Sequence, residues 1–329
     1  MTLRHRTAGV IGVLAVFWFF GGPAPAAAGE TIPVFVSILP QKYFVEQVGG
    51  RHVAVEVMVA PGASPATYEP KPRQMATLAA ARAYFAVGVP FETVWLPRIQ
   101  AANPRMRVVD TAAEIEKLPM AAHAHEADVD HDHHHEANPH EVLDPHVWLA
   151  PPLVKIQARA IRDALVALDP IHQADYDAGL ARFGEAIDDL DRELRETFTG
   201  REGMGFMVFH PAWGYFARTY GLEQIPIEIE GKAPKPAQLQ DLIEAARRRD
   251  IRVIFVQPQF SGQSAAAVAA AIGGVVLPAD PLAPDWADNL RRQAASIREA
   301  LRCRGIRPAP AAPIFPGPGR RLPHLRGAR

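Results

Sequence analysis

IPVFVSILPQKYFVEQVGGRHVAVEVMV, residues 32–59, decides the fold class. Residues 32–38 are an apolar run of strand length. Residues 41–48 form a helical segment stopped by Gly49-Gly50, and residues 53–59 alternate apolar and polar positions as a second strand. Strand, helix and strand in such close succession make a parallel βαβ unit. The unit is repeated downstream. The turn-rich segment PGASPATYEPKP leads into a helix through Met75, Leu78 and Ala79, and short strands at 83–88 and 106–109 flank a further helical stretch.

A second alternating set begins with FMVF (206–209) and continues with QIPIE (224–228), RVIFV (252–256) and GVVL (274–277), separated by helices. Between the two sets lie two helical patterns. One runs from about Leu153 to Leu168 and is stopped by Asp169-Pro170. The other spans 173–198, with Leu180, Phe183, Ile187, Leu190, Leu194 and Phe198 on one stripe. A helix of that span is about 40 Å long, more than one small domain needs. The expected architecture is therefore α/β, with two lobes of four parallel strands joined by a long rigid helix. The expected divisions are a leader at 1–28, an N-terminal lobe at 29–170, a linking helix at 171–200, a C-terminal lobe at 201–303 and a tail at 304–329.

The leader has a basic start (Arg4, His5, Arg6), the apolar run VIGVLAVFWFF and the small residues Ala26-Ala27-Ala28 before Gly29. That is the pattern of a cleaved secretory signal, so an exported, periplasmic chain without a lipid anchor is expected. The tail from Arg304 is rich in Pro, Gly and Arg and lacks acidic residues, a composition that builds no core. A net charge of −1 gives no reason to expect a nucleic-acid or membrane-surface partner. The single cysteine, Cys303, excludes an internal disulfide and CxxC chemistry, so any metal site must use histidines and carboxylates.

Histidines are concentrated in residues 123–148, HAHEADVDHDHHHEANPHEVLDPHVW, which hold eight of the chain's thirteen. His123, His125, His131, His133, His134, His135 and His140 stand in a polar tract (the His-rich loop, 121–141) suited to accessory, multi-site metal capture. His146 differs, because Pro145, Trp148 and Pro151-Pro152 hold it in a rigid setting. In open parallel α/β sheets, ligands bind beyond the carboxyl ends of the strands. His210 follows FMVF directly and Asp280 follows VVLPA, which places both at one edge of the second lobe.

The segments PGASPATYEPKPRQM, DPHVWLAP, FHPAWGYFARTYGL, VQPQFS and LPADPLAPDW resemble those of the zinc and manganese solute-binding proteins of ABC transporters, the cluster A-I family. The likeness runs in order from about Thr31 to Arg302. It implies a metal buried between the lobes, with His146, His210 and Asp280 as ligands. It also implies a monomer that serves a membrane permease with its cytoplasmic ATPase. Where that family usually carries its first histidine, as in SPHTYEP, this chain reads SPATYEP and has Ala66. A fourth ligand is left open among water, a loop histidine, Glu228 and Glu230. Two imidazoles favour Zn²⁺ over Mn²⁺, which prefers oxygen donors. A periplasmic zinc buffer or metallochaperone would need the same cleft. A zinc hydrolase is disfavoured by the lack of HExxH and of a general base beside a ligand. His52 and His172 are expected on the surface.

Overall fold

A computed structural model describes residues 31–120, 142–229 and 232–302. The leader, the seven histidines of the loop, Glu230, Cys303 and the tail lie outside the described residues.

The first lobe contains β1 (Ile32–Val36), α1 (Leu39–Gly49), β2 (Val53–Val57), α2 (Pro72–Leu78), β3 (Ala83–Ala86), α3 (Pro90–Ala102) and β4 (Arg107–Asp110). Helices α4 (Pro151–Leu168) and α5 (Gln173–Phe198) follow. The second lobe contains β5 (Gly205–Val208), α6 (Gly214–Thr219), β6 (Glu223–Pro226), α7 (Pro236–Arg248), β7 (Val253–Val256), α8 (Gln263–Ile272), β8 (Val275–Pro278) and α9 (Trp286–Arg302). Both sheets are parallel throughout, with strand orders β2-β1-β3-β4 and β6-β5-β7-β8. The order reverses direction between β1 and β3, and again between β5 and β7. Those are the crevices where α/β sheets receive ligands.

Local chemistry sets the element ends. The strand expected over 32–38 ends at Val36 because the N–H groups of Ser37 and Ile38 turn to the side-chain oxygen of Gln41, at 3.1 and 3.4 Å. A glutamine in the first turn plays the same part elsewhere. Gln74 accepts from Lys71 N at 3.0 Å and Gln238 accepts from Lys235 N at 2.9 Å, each satisfying an orphan donor at a helix start. Pro226 ends β6, an edge strand, where a missing N–H costs no ladder bond.

The second sheet is covered on both faces, as parallel sheets require. Phe206, Val208, Val253 and Phe255 join the main core with α5 and α9. Their alternates Met207, Ile254 and Val256 pack with Leu242, Val268 and Ile272 of α7 and α8. The main core is continuous from Ile32 to Leu301, so both lobes and the helices between them share one apolar interior. Its centre is aromatic. Trp286, at the start of α9, meets Phe44 of α1 edge-on at 5.1 Å and Phe183 of α5 at 6.2 Å. Among the described residues no helix is long and apolar enough to cross a membrane.

Helix α5 approaches α1 so closely that Gly179 is required. A Cβ at Gly179 would lie 2.3 Å from the Val48 carbonyl oxygen, and backbone cannot yield cheaply. Gly184, five residues along the same helix, faces open space. Gly179→Ala should therefore destabilise the protein by about 1–3 kcal/mol through overpacking. Gly184→Ala should stabilise it by roughly 0.5–1 kcal/mol through helix propensity. Urea unfolding of the two variants should move the midpoint in opposite directions. Equal shifts would contradict the close helix approach.

Candidate metal site between the lobes

The site is assembled from strand ends. His210 leaves β5, and Gln257 after β7 fixes its backbone twice. Gln257 Oε1 accepts from His210 N at 3.2 Å, and Gln257 Nε2 donates to the His210 carbonyl at 2.7 Å. The clamp joins the two strands that flank the second lobe's reversal point. His146 lies on the other lobe and begins a short 3-10 turn, Val147–Leu149, ahead of α4.

Each imidazole is oriented from behind by a buried carboxylate. His146 Nδ1 pairs with Asp144 Oδ1 at 2.7 Å, and the same oxygen accepts from His146 N at 2.9 Å. His210 Nδ1 pairs with Glu228 Oε1 at 2.6 Å. Asp144 and Glu228 are 2% and 5% exposed, so both carboxylates spend their charge inside the protein. With Nδ1–H donating backward, Nε2 is the nitrogen of each ring left free for a ligand. Glu228 Oε2 is buried and has no hydrogen-bond partner among the described residues. Such an unpaired anionic oxygen is costly unless positive charge comes close.

The two rings lie 5.2 Å apart between centroids at an interplanar angle of 71°. Imidazoles bound to one tetrahedral ion at about 2.0–2.1 Å place their centroids roughly 5 Å apart. The spacing suits a shared divalent ion. Phe260 stacks on His210 at 4.9 Å and Trp148 lies 5.1 Å from His146, which narrows the rotational freedom of both rings. A small cavity of about 70 Å³ opens beside the pair. Pro65, Ala66, Val89, Pro90, Met120 and Leu282 line it, together with both histidines.

The structure brings His146 and His210 together, while Asp280 is engaged in the turn whose Pro281 and Leu282 line the same cavity. Among the described residues no three His, Cys, Asp or Glu side chains gather closely enough to hold a metal ion. Asp280 Oδ1 accepts from Leu282 N at 2.9 Å and from Gln259 Nε2 at 3.2 Å, so it serves the turn that follows β8. Glu228 stands behind His210 as its orienting partner rather than at the cavity wall. His52 and His172 lie half-buried at the surface and are paired there. Their rings stack at 4.0 Å, and His52 Nε2 meets Asp175 at 2.7 Å while His172 Nδ1 meets Asp169 at 2.6 Å.

Sequence reasoning missed the positioning residues. Tyr215 of α6 accepts from Leu118 N at 2.8 Å and donates to the Asp144 carbonyl at 3.0 Å, tying the second lobe to the segment that carries His146. Trp148 Nε1 donates to the Pro281 carbonyl at 2.8 Å, and Trp286 Nε1 donates to the Trp148 carbonyl at 2.7 Å. These bonds join the His146 segment to the Asp280 loop. Asp144 in the DPH triplet was the one visible signal, an acid two residues before a candidate ligand.

A family model described as zinc-uptake complex component A, periplasmic, matches residues 34–300. The chain belongs to that family. It is similar to the high-affinity zinc uptake system protein ZnuA of Bacillus subtilis, at 28% identity over 249 residues covering 74% of this chain and 76% of that protein. A crystal structure of ZnuA superposes with a TM-score of 0.75 at 41% identity, covering 83% of this chain and all of that one (100%). A zinc-bound deletion mutant of ZnuA gives the same TM-score, 0.75, at 41% identity over 82% of this chain and 98% of that one. Family membership and the two-lobe architecture thus agree with the expectation from the quoted motifs.

The wall of the cavity at Val89-Pro90 is held by Glu92. Its carboxylate accepts from Val87 N at 3.0 Å and Gly88 N at 2.8 Å, and Ser37 Oγ donates to it as well. Gly88 has φ +88°, and a Cβ there would strike Lys117. Burial raises the Glu92 pKa, against the lowering effect of these hydrogen bonds. A carboxyl whose folded pKa is raised contributes stability that is complete below its ordinary value, 4.5, and is lost as pH climbs through the folded value. The stability of wild type relative to Glu92→Gln, measured by urea unfolding in the presence of a chelator, should therefore decline as pH rises above about 4.5. A difference that stays flat would contradict the assigned burial effect.

Proposed function

We propose that the chain captures Zn²⁺ in the periplasm through Nε2 of His146 and Nε2 of His210, with Asp280 as a third ligand, and hands it to an ABC-transporter permease driven by a cytoplasmic ATPase. The observation that carries this reading is the 5.2 Å spacing of two imidazoles whose Nδ1 atoms are both committed to buried carboxylates. Nitrogen donors support zinc over manganese, which favours oxygen. Membership of the zinc-uptake component family supports capture for transport over hydrolysis. The chain acts as a monomeric binding protein, and Asp280 joins the ion by releasing Gln259. Hydrogen bonds from Trp148, Trp286 and Tyr215 across the lobes support a small closure rather than a wide hinge.

Metal-competition titration of the exported chain tests the ligand set. His146→Ala and His210→Ala should each abolish the tight site, and Asp280→Ala should weaken it. Asp144→Asn and Glu228→Gln, which disturb only the orientation of the rings, should cost about 10–100-fold in affinity. Retention of full affinity in all three ligand variants overturns the assignment.

The His-rich loop is proposed as an accessory collector, because its histidines are interleaved with Glu126, Asp128, Asp130, Asp132 and Glu136. Deleting residues 123–140 should lower the total zinc bound while one tight site remains. Metal analysis after gel filtration reads both quantities, and loss of the tight site would assign the loop a direct role in it.

A further inference from the structure

The corner where α4 turns into α5 carries an ionisable cluster that neither ion capture nor core packing accounts for. The first lobe supplies Arg51 and His52 from the turn ahead of β2. Asp169 and His172 come from the corner itself, and Asp175 and Tyr176 from the first turn of α5. The two imidazoles stack at 4.0 Å between centroids, and Tyr176 meets the His52 ring edge-on at 5.7 Å. Each ring has a carboxylate of its own. His52 Nε2 lies 2.7 Å from Asp175 Oδ2, and His172 Nδ1 lies 2.6 Å from Asp169 Oδ2. Arg51 stands 3.7 Å from Asp175, and Tyr176 donates to Asp169 at 2.7 Å. The imidazole side chains are 11% and 33% exposed, so protons reach both. None of the six residues lines the cavity between the lobes.

Neutral rings in this arrangement make one stacking contact and two hydrogen bonds. Protons change the balance of charge. Two charged rings 4.0 Å apart repel each other. The opposing attractions are nearer, at 2.7 and 2.6 Å, and there are two of them. Attraction therefore exceeds repulsion, with Asp169 the stronger partner because Asp175 is the more exposed and the more screened. Both carboxyls stay ionised while the rings charge. Burial raises Asp169, but hydrogen bonds from Tyr176 and His172 outweigh it, and the bond from His52 lowers Asp175. A carboxyl lowered in the folded state contributes stability that is present above its ordinary value, 3.8, and lost as pH falls through the folded one. Burial and the bond to Asp169 raise the Tyr176 phenol, which remains a donor throughout.

We propose that His52, His172, Asp169 and Asp175 form an acid-tightened clasp that holds the start of the linking helix on the first lobe, strengthening as the two imidazoles take up protons. Its position gives it leverage. One turn further along α5, Gly179 brings that helix against the Val48 carbonyl at the end of α1. Mild acid, which charges imidazoles elsewhere in the chain, thus seats this corner more firmly.

Urea unfolding of the exported chain in the presence of a chelator, at about pH 8 and about pH 5.5, spans the interval in which histidine changes charge. The double variant His52→Gln with His172→Gln keeps a hydrogen-bond donor at each position but takes up no proton. Its midpoint should fall below that of wild type at both pH values, with the wider gap in acid. Asp175→Asn, at a half-exposed position, reads the same effect from the carboxylate side and decides the matter alone if the double variant does not fold. Its loss should also be larger in acid. Gaps that are equal at the two pH values, or narrower in acid, overturn the clasp and leave the stack as packing of neutral rings. A gap that widens for the histidine variant but not for Asp175→Asn overturns the pairing on which it depends.

Discussion

The indole of Trp286 is the contact on which the arrangement of the molecule depends. It opens the last helix, yet its ring packs on Phe44 from the first helix and Phe183 from the long α5. Its N–H reaches the carbonyl of Trp148, two residues from a candidate ligand. Burial of so large a ring against other aromatics is favourable beyond its area by about 0.5–1.5 kcal/mol per pair. Its polar tip can be satisfied only if the His146 segment lies where it does. Core packing and site geometry are thereby made the same requirement. The second indole, Trp148, repeats the arrangement toward Pro281, so the loop after β8 is fixed against the loop before α4.

The site uses rigidity differently from chemistry that needs strain or motion. Its imidazoles are held by buried carboxyl groups; the Asp144 side chain accepts from His146 N, and the Asp144 main chain is held by Tyr215. Pre-set rings spare the ordering entropy that free histidines would lose on coordinating an ion. Glu228 carries the cost, with one buried oxygen lacking a hydrogen-bond partner among the described residues.

Much of this was legible in the sequence, and the limits are physical. The strands could be read because each is short, apolar and bounded by Gly, Pro or charged residues. Helix α5 could be read because its apolar residues recur every three or four positions across its whole length. His210 and Asp280 were singled out by position alone, as polar residues directly after strands. Position could not show what else Asp280 holds, because a carboxylate near a strand end can serve a turn as readily as a metal, and its Oδ1 accepts from Leu282 N and Gln259 Nε2. The pairing of His52 with His172 was out of reach of the sequence for a related reason. They are 120 residues apart in sequence (172 − 52), and no local pattern reveals that two turns stack their rings. Tyr215 and Gln257 left no periodic trace, because a hydrogen bond to a distant backbone has no spacing rule.

The pairing of Pro119 with Leu143 has a consequence of its own. Met120 N donates to the Val142 carbonyl and Asp144 N donates to the Leu118 carbonyl, at 2.8 and 2.7 Å, and Tyr215 grips both limbs. The segments that end at Met120 and resume at Val142 are thereby zipped together as a two-limb collar. The cavity wall at Met120 and the segment that carries His146 are fixed to one another by backbone bonds. The collar is thus a self-contained fastening, its two limbs spaced by their own backbone bonds and pinned to the second lobe at one phenol.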